Sequence, residues 1–181
     1  MLKNILKIKE PVKILSIVPG TKYLGTALFY GSELRDWGIK VLNEKGTDGK
    51  VKKSKDIISD FIERYEPKVL ALKKLDLKKS SKNLNSLVRK IKEFARRKNL
   101  FICQMKLSEI KEWILPGRRI NKKELAQIMV SRFPELLFDF KKEEKNRNRY
   151  YERMFEAVAL GFSCFYKVDG KIKLNKRYGK K

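Results

Sequence analysis

The chain has 181 residues, with 45 Lys and Arg against 21 Asp and Glu, no His, and a net charge of +24 at neutral pH. That length favours one domain with a real core, and the lack of His excludes Ser-His and Cys-His catalysis, His-ligated zinc and a His general base. So positive a chain is expected to meet polyanions, nucleic acid ahead of an anionic membrane.

Other readings of the charge are weaker. Thermophilic Lys enrichment normally brings Glu with it, and here Lys and Arg outnumber the acids by more than two to one. Cys103 and Cys164 lie in apolar surroundings without metal-ligand spacing and read as buried free thiols in a reducing compartment. No apolar run approaches a membrane span. Met1–Glu10 is a basic lead-in without the continuous apolar region or cleavage site of a signal peptide. A cytoplasmic protein with no membrane partner is expected.

Along the chain, Val12–Val18 is rich in Ile, Leu and Val and reads as a buried strand. Pro19-Gly20-Thr21 breaks it. Leu24–Tyr30 and Leu34–Leu42 read as two more strands, joined by a tight turn at Gly31-Ser32. Asn43–Lys53, with Gly46, Asp48 and Gly49, reads as a loop. Ser54 is a candidate cap for a helix with Ile57, Ile58, Phe61, Ile62 and Tyr65 on one face, ended by Pro67. Val69–Leu72 is a short buried strand reached by a crossover.

Lys78–Lys98 reads as a helix capped by Ser80 or Ser81, with Leu84, Leu87, Val88, Ile91, Phe94 and Ala95 at helical spacing. Leu100–Met105 is a fifth strand, and Ser108–Leu115 a short helix stopped by Pro116-Gly117. Asn121 with Glu124 has capping-box character and opens a helix with Leu125, Ile128, Met129 and Phe133 inward. Lys141–Arg149 reads as a charged linker, Tyr150–Tyr166 as the last helix, and Lys167–Lys181 as a flexible basic tail. This order predicts a three-layer α/β domain over 12–166.

Residues 12–165 resemble the RuvC-type Holliday-junction resolvases of the RNase H-like superfamily. In that family the first strand runs into an Asp-Pro-Gly-Thr/Ser turn, with a Gly opening the second strand. Ile17-Val18-Pro19-Gly20-Thr21 and Gly25 match that frame. The resemblance implies an RNase H-like fold, a mixed five-stranded sheet with helices on both faces. It also implies DNA recombination as the process and a homodimer on a two-fold-symmetric junction.

Family members hold two Mg²⁺ or Mn²⁺ ions with four carboxylates, because hard cations need oxygen ligands and paired cations need several negative charges. Matched to the family pattern, Val18 stands at the first Asp. Lys73 takes the Glu after the fourth strand. Arg153-Met154-Phe155-Glu156-Ala157 aligns with Asp-x-x-Asp-Ala, so Arg153 and Glu156 take the last two positions. One carboxylate of four remains, which implies a pseudoenzyme with no metal cofactor and a Glu156–Lys73 or Glu156–Arg153 ion pair in its place. The alternative is a misplaced motif, with Glu156, Glu152 and Asp76 as the metal ligands of an active, divergent endonuclease.

The family holds backbone phosphates with lysines near the cut. Lys111, Lys122 and Lys123 fall in the comparable stretch, and Arg118 and Arg119 add a basic loop. Arg89, Arg96 and Arg97 line the outer face of the Lys78–Lys98 helix. Lys and Arg neutralise phosphates without reading sequence, so branched DNA and structured RNA both remain open. Tyr178 is a candidate base stacker, whereas Trp37 and Trp113 read as core or interface residues. A further alternative is a basic assembly protein of a ribonucleoprotein complex.

Overall fold

The computed structural model describes residues 10–145 and 150–178, with side chains described up to Asp169. Five strands form one sheet in the order β3-β2-β1-β4-β5. They are β1 (Lys13–Val18), β2 (Tyr23–Tyr30), β3 (Glu33–Val41), β4 (Val69–Lys73) and β5 (Phe101–Met105). The first three form an antiparallel meander; β4 and β5 run parallel to β1. The expected mixed sheet with helices on both faces is therefore present.

β1 sits at the centre, which explains its nearly unbroken apolar run. Its period of two divides the residues between two cores. Ile14 and Val18 face one side with Met154, Phe155 and Val158; Leu15 and Ile17 face the other with Ile58, Phe61 and Ile91. The first core is covered by α3 (Leu107–Ile114), α4 (Lys122–Arg132) and α6 (Glu152–Tyr178), the second by α1 (Gly46–Tyr65) and α2 (Lys82–Arg97). No helix among the described residues is long and apolar enough to cross a membrane.

Local signals set several boundaries. Ser81 caps α2 by accepting the Leu84 N–H at 3.2 Å. Asn121 accepts the Glu124 N–H at 2.9 Å, and Glu124 returns the bond to the Asn121 N–H at 2.7 Å. α1 ends at Glu66, which turns left-handed at φ 51° just before Pro67.

Three expectations are corrected. α1 begins at Gly46, not after Ser54, whose buried hydroxyl instead donates to the Lys50 carbonyl at 2.8 Å inside the helix. Burial of Val51 and Asp48 in the first turn offset the cost of the helical Gly49, about 1 kcal/mol, while Gly46 opens the helix at φ 73°, a conformation that favours glycine. The stretch read as a charged linker is helical up to Lys145, in α5 (Leu137–Lys145), which follows a 3-10 turn at Pro134–Leu136. α5 is anchored by Phe140, edge-on to Phe155, and by Asp139, which accepts the Trp37 indole N–H at 2.9 Å. The expected break after Tyr166 does not occur, since α6 continues to Tyr178; no Pro and only one Gly interrupt 167–178. The lead-in Met1–Lys9, the linker's 146–149 and the Tyr178 side chain lie outside the described residues.

Candidate nucleic-acid interface

Because β1 and β4 are parallel neighbours, Val18 and Lys73 finish at the same end of the sheet. The start of α6 crosses that end and brings Glu152, Arg153 and Glu156 to it. Two glycines allow the helix to lie against the strands. A Cβ on Gly25, the register partner of Val18, would run into the Arg153 carbonyl. A Cβ on Gly161 would come within 2.6 Å of the Phe29 ring. The Ser16 hydroxyl fixes the axial position by donating to the Ala157 carbonyl at 2.6 Å. This close approach accounts for the Gly25 that the sequence places at the head of the second strand.

Glu156 is 2% exposed. Its carboxylate is clamped between two ammonium groups, ion-paired to Lys73 on one oxygen and to Lys122 at 3.0 Å on the other. Lys122, at the first turn of α4, also pairs with Glu152. The titration behaviour follows from these contacts. Burial pushes the Glu156 carboxyl up, but the Lys73 charge and hydrogen bond, then those of Lys122, outweigh it and hold the group below the usual carboxylate range. For Lys122 burial acts downward, and the hydrogen bond to Glu152 and the charge of Glu156 more than reverse it, so its ammonium is held above the usual lysine value.

Arg153 does not join the clamp. Its guanidinium donates to the Pro19 carbonyl at 3.2 Å and lies over the β1–β2 turn, where a Cβ on Gly20 would come within 2.5 Å of it. Of the two ion pairs considered for Glu156, Lys73 makes one and Arg153 is taken by the turn. Val18 is fully buried among apolar neighbours and supplies no oxygen.

The donor set does not fit a pair of divalent cations. The cluster has two carboxylates, Glu152 and Glu156, and both are engaged by ammonium groups. Asp76 is exposed and accepts the Lys78 N–H of its own turn at 3.0 Å. Among the described residues, no group of three or more His, Cys, Asp or Glu is placed to hold a metal ion. Three cations against two carboxylates leave this end of the sheet slightly positive, with most of its charge satisfied internally.

The basic residues picked out in the sequence fall into two sets. Lys122 is bound to Glu152 and Glu156, Lys123 to Glu144 at 3.4 Å, and Arg118 to Glu124 at 3.6 Å. Lys111 and Arg119 flank them without a salt bridge among the described residues. Arg89, Arg96 and Arg97 are exposed on α2, apart from this group, and also lack salt bridges among those residues. Trp37 packs on the core and Trp113 is 48% exposed. Cys103 and Cys164 are buried thiols, with the Cys164 thiol pushed up by its hydrogen bond to Cys103 and by burial. The role of Lys122 as second clamp on Glu156 was not visible in the sequence, because the partners lie on different helices.

A three-layer α/β domain with this strand order has an RNase H-like fold. Within it, the chain shares the fold of the RuvC-type resolvases. Thermus thermophilus RuvC in complex with a Holliday junction superimposes with a TM-score of 0.64 at 14% identity, over 88% of this chain and 96% of that one. The yeast mitochondrial Holliday junction resolvase gives 0.61 at 13% identity, over 93% and 85%. The fowlpox virus resolvase in complex with junction DNA gives 0.54 at 19% identity, over 85% and 99%. No family model matches the sequence, and no curated protein matches it significantly.

Proposed function

We propose that this protein binds nucleic acid on a RuvC-type scaffold, with branched DNA as its first candidate ligand, and does not cleave it. The observation that carries this reading is the Lys73–Glu156–Lys122 clamp, which puts two ammonium groups at a buried carboxylate of the β1/β4 end. A metal-dependent nuclease needs negative charge there to gather cations; this cluster repels them. The charge of +24 and the fold shared with two junction-bound resolvases support the nucleic-acid half.

The test uses a labelled four-way DNA junction, a linear duplex and a hairpin RNA with purified protein in Mg²⁺ or Mn²⁺. Binding that weakens steeply with salt, without cleavage, is the expected result. Efficient metal-dependent cleavage that is abolished in Glu152→Gln and Glu156→Gln would establish an active endonuclease instead. Failure to bind any free nucleic acid, with co-purification in a defined particle, would favour the ribonucleoprotein assembly role.

A further inference from the structure

The cations nearest the clamp are largely spent on acids of the same chain, so the unspent ones indicate where a polyanion is held. A cleft of about 500 Å³ lies between the β4–α2 connection, the face of α2 and the β5 edge. Lys74, Lys82, Arg89 and Lys92 line it together with Asn85 and Gln104, and no carboxylate among the described residues does. Lys82, Asn85, Arg89 and Lys92 are spaced three, four and three residues apart, which places them on one ridge of α2. None of the four cations makes a salt bridge among the described residues. Lys90, elsewhere on the same helix, is paired with Asp48 at 2.9 Å.

We infer that this cleft is a phosphate-backbone site, the second contact surface for the nucleic acid of the proposed function, on which the inference rests. Two features favour that occupant. Lys73 and Lys74 are consecutive at the end of β4, where successive side chains point to opposite faces. Lys73 turns to Glu156, under α6, and Lys74 turns into the α2 cleft. A strand reaching the end of the sheet is therefore met by positive charge on both faces. The second feature is the single sign of the charge. A two-fold contact through this ridge would set its cations against the cations of the same ridge on another copy, and like charges brought together there oppose it. A polyanion is complementary, and its counterions are released on binding.

The test compares two variants, each lacking four charges. One carries Lys74→Gln, Lys82→Gln, Arg89→Gln and Lys92→Gln. The control carries Lys52→Gln, Lys53→Gln, Lys141→Gln and Lys145→Gln, on the exposed faces of α1 and α5. Circular dichroism and melting establish that both fold. Affinity for a labelled four-way junction and a hairpin RNA is then read as a function of salt. The cleft variant is expected to bind at least about ten-fold more weakly than the control, with a log–log salt slope lower by about two to four, at roughly 0.9 per lost duplex phosphate contact. Equal losses in the two variants would overturn the cleft while leaving nucleic-acid binding intact. A wild-type dimer that becomes monomeric only in the cleft variant, with affinity matching the control, would make the ridge a contact between copies and overturn the inference. Absence of any wild-type binding at low salt would remove the proposed function and the cleft together.

Discussion

The end of the sheet and the α2 cleft are both rich in cations, yet they are built in opposite ways. At the sheet end Lys73 and Lys122 close on a buried glutamate, and Arg153 is tied to the β1–β2 turn. In the cleft Lys74, Lys82, Arg89 and Lys92 line one hollow, and none makes a salt bridge among the described residues. Charge count alone does not separate them; partnering does. Paired, buried charge acts on stability, because removing one member strands the other. Unpaired surface charge is nearly free to remove from the fold and remains available to a ligand.

The largest effect should come from breaking the clamp. Glu156→Gln leaves Lys73 and Lys122 without their shared carboxylate and is expected to destabilise the protein by about 3 kcal/mol, read by urea denaturation. Pairing it with Lys73→Met should recover most of the loss, since a matched apolar replacement of a buried pair is often nearly neutral. Additive losses in the double variant would mean that the two residues are not coupled. Gly25→Ala forces α6 off β2 and should cost about 2 kcal/mol by overpacking, with a drop in melting temperature as the readout.

The clamp also sets a pH window. Glu156 has a folded-state value below its ordinary 4.5, so its contribution is complete above that pH and is lost as pH falls through the lower folded-state value. Lys122 is raised above 10.5, so its contribution is complete below that pH and is lost as pH rises through the higher value. Melting temperature should therefore fall at both extremes, and Glu156→Gln should flatten the acid limb. An unchanged acid limb would contradict the clamp.

Asn121→Ala removes the cap that positions Lys122 and should cost about 1 kcal/mol in chemical denaturation. Smallest of all, Arg89→Gln and Lys82→Gln should leave stability within about 0.5 kcal/mol of wild type. A larger loss would show that the cleft, too, is paired, and would erase the contrast with the sheet end.

Much of the architecture was legible because it rests on local rules. A run rich in Ile, Leu and Val marked β1, Asn121 with Glu124 marked the start of α4, and Pro67 marked the end of α1. The Val18, Lys73, Arg153 and Glu156 positions could be matched in sequence, and the fold does bring them to one end of the sheet. Their partners could not be read off. Whether Glu156 would take Lys73 or Arg153, and whether Lys122 would face a phosphate or a glutamate, depends on where α4 and α6 cross. α5 was missed because its polar stretch carries no apolar stripe of its own, and it is held by Trp37 and Phe155 from elsewhere in the chain. The cleft was half legible: Arg89 stood out on the outer face of α2, but Lys74 joins it only through the turn at the end of β4.

The most direct test of the account is calorimetric titration of Mn²⁺ into the purified, nucleic-acid-free protein. No heat beyond dilution is expected, since Lys73 and Lys122 occupy the carboxylate that a metal would need. Stoichiometric Mn²⁺ binding that disappears in Glu156→Gln, in a variant shown to remain folded, would contradict it.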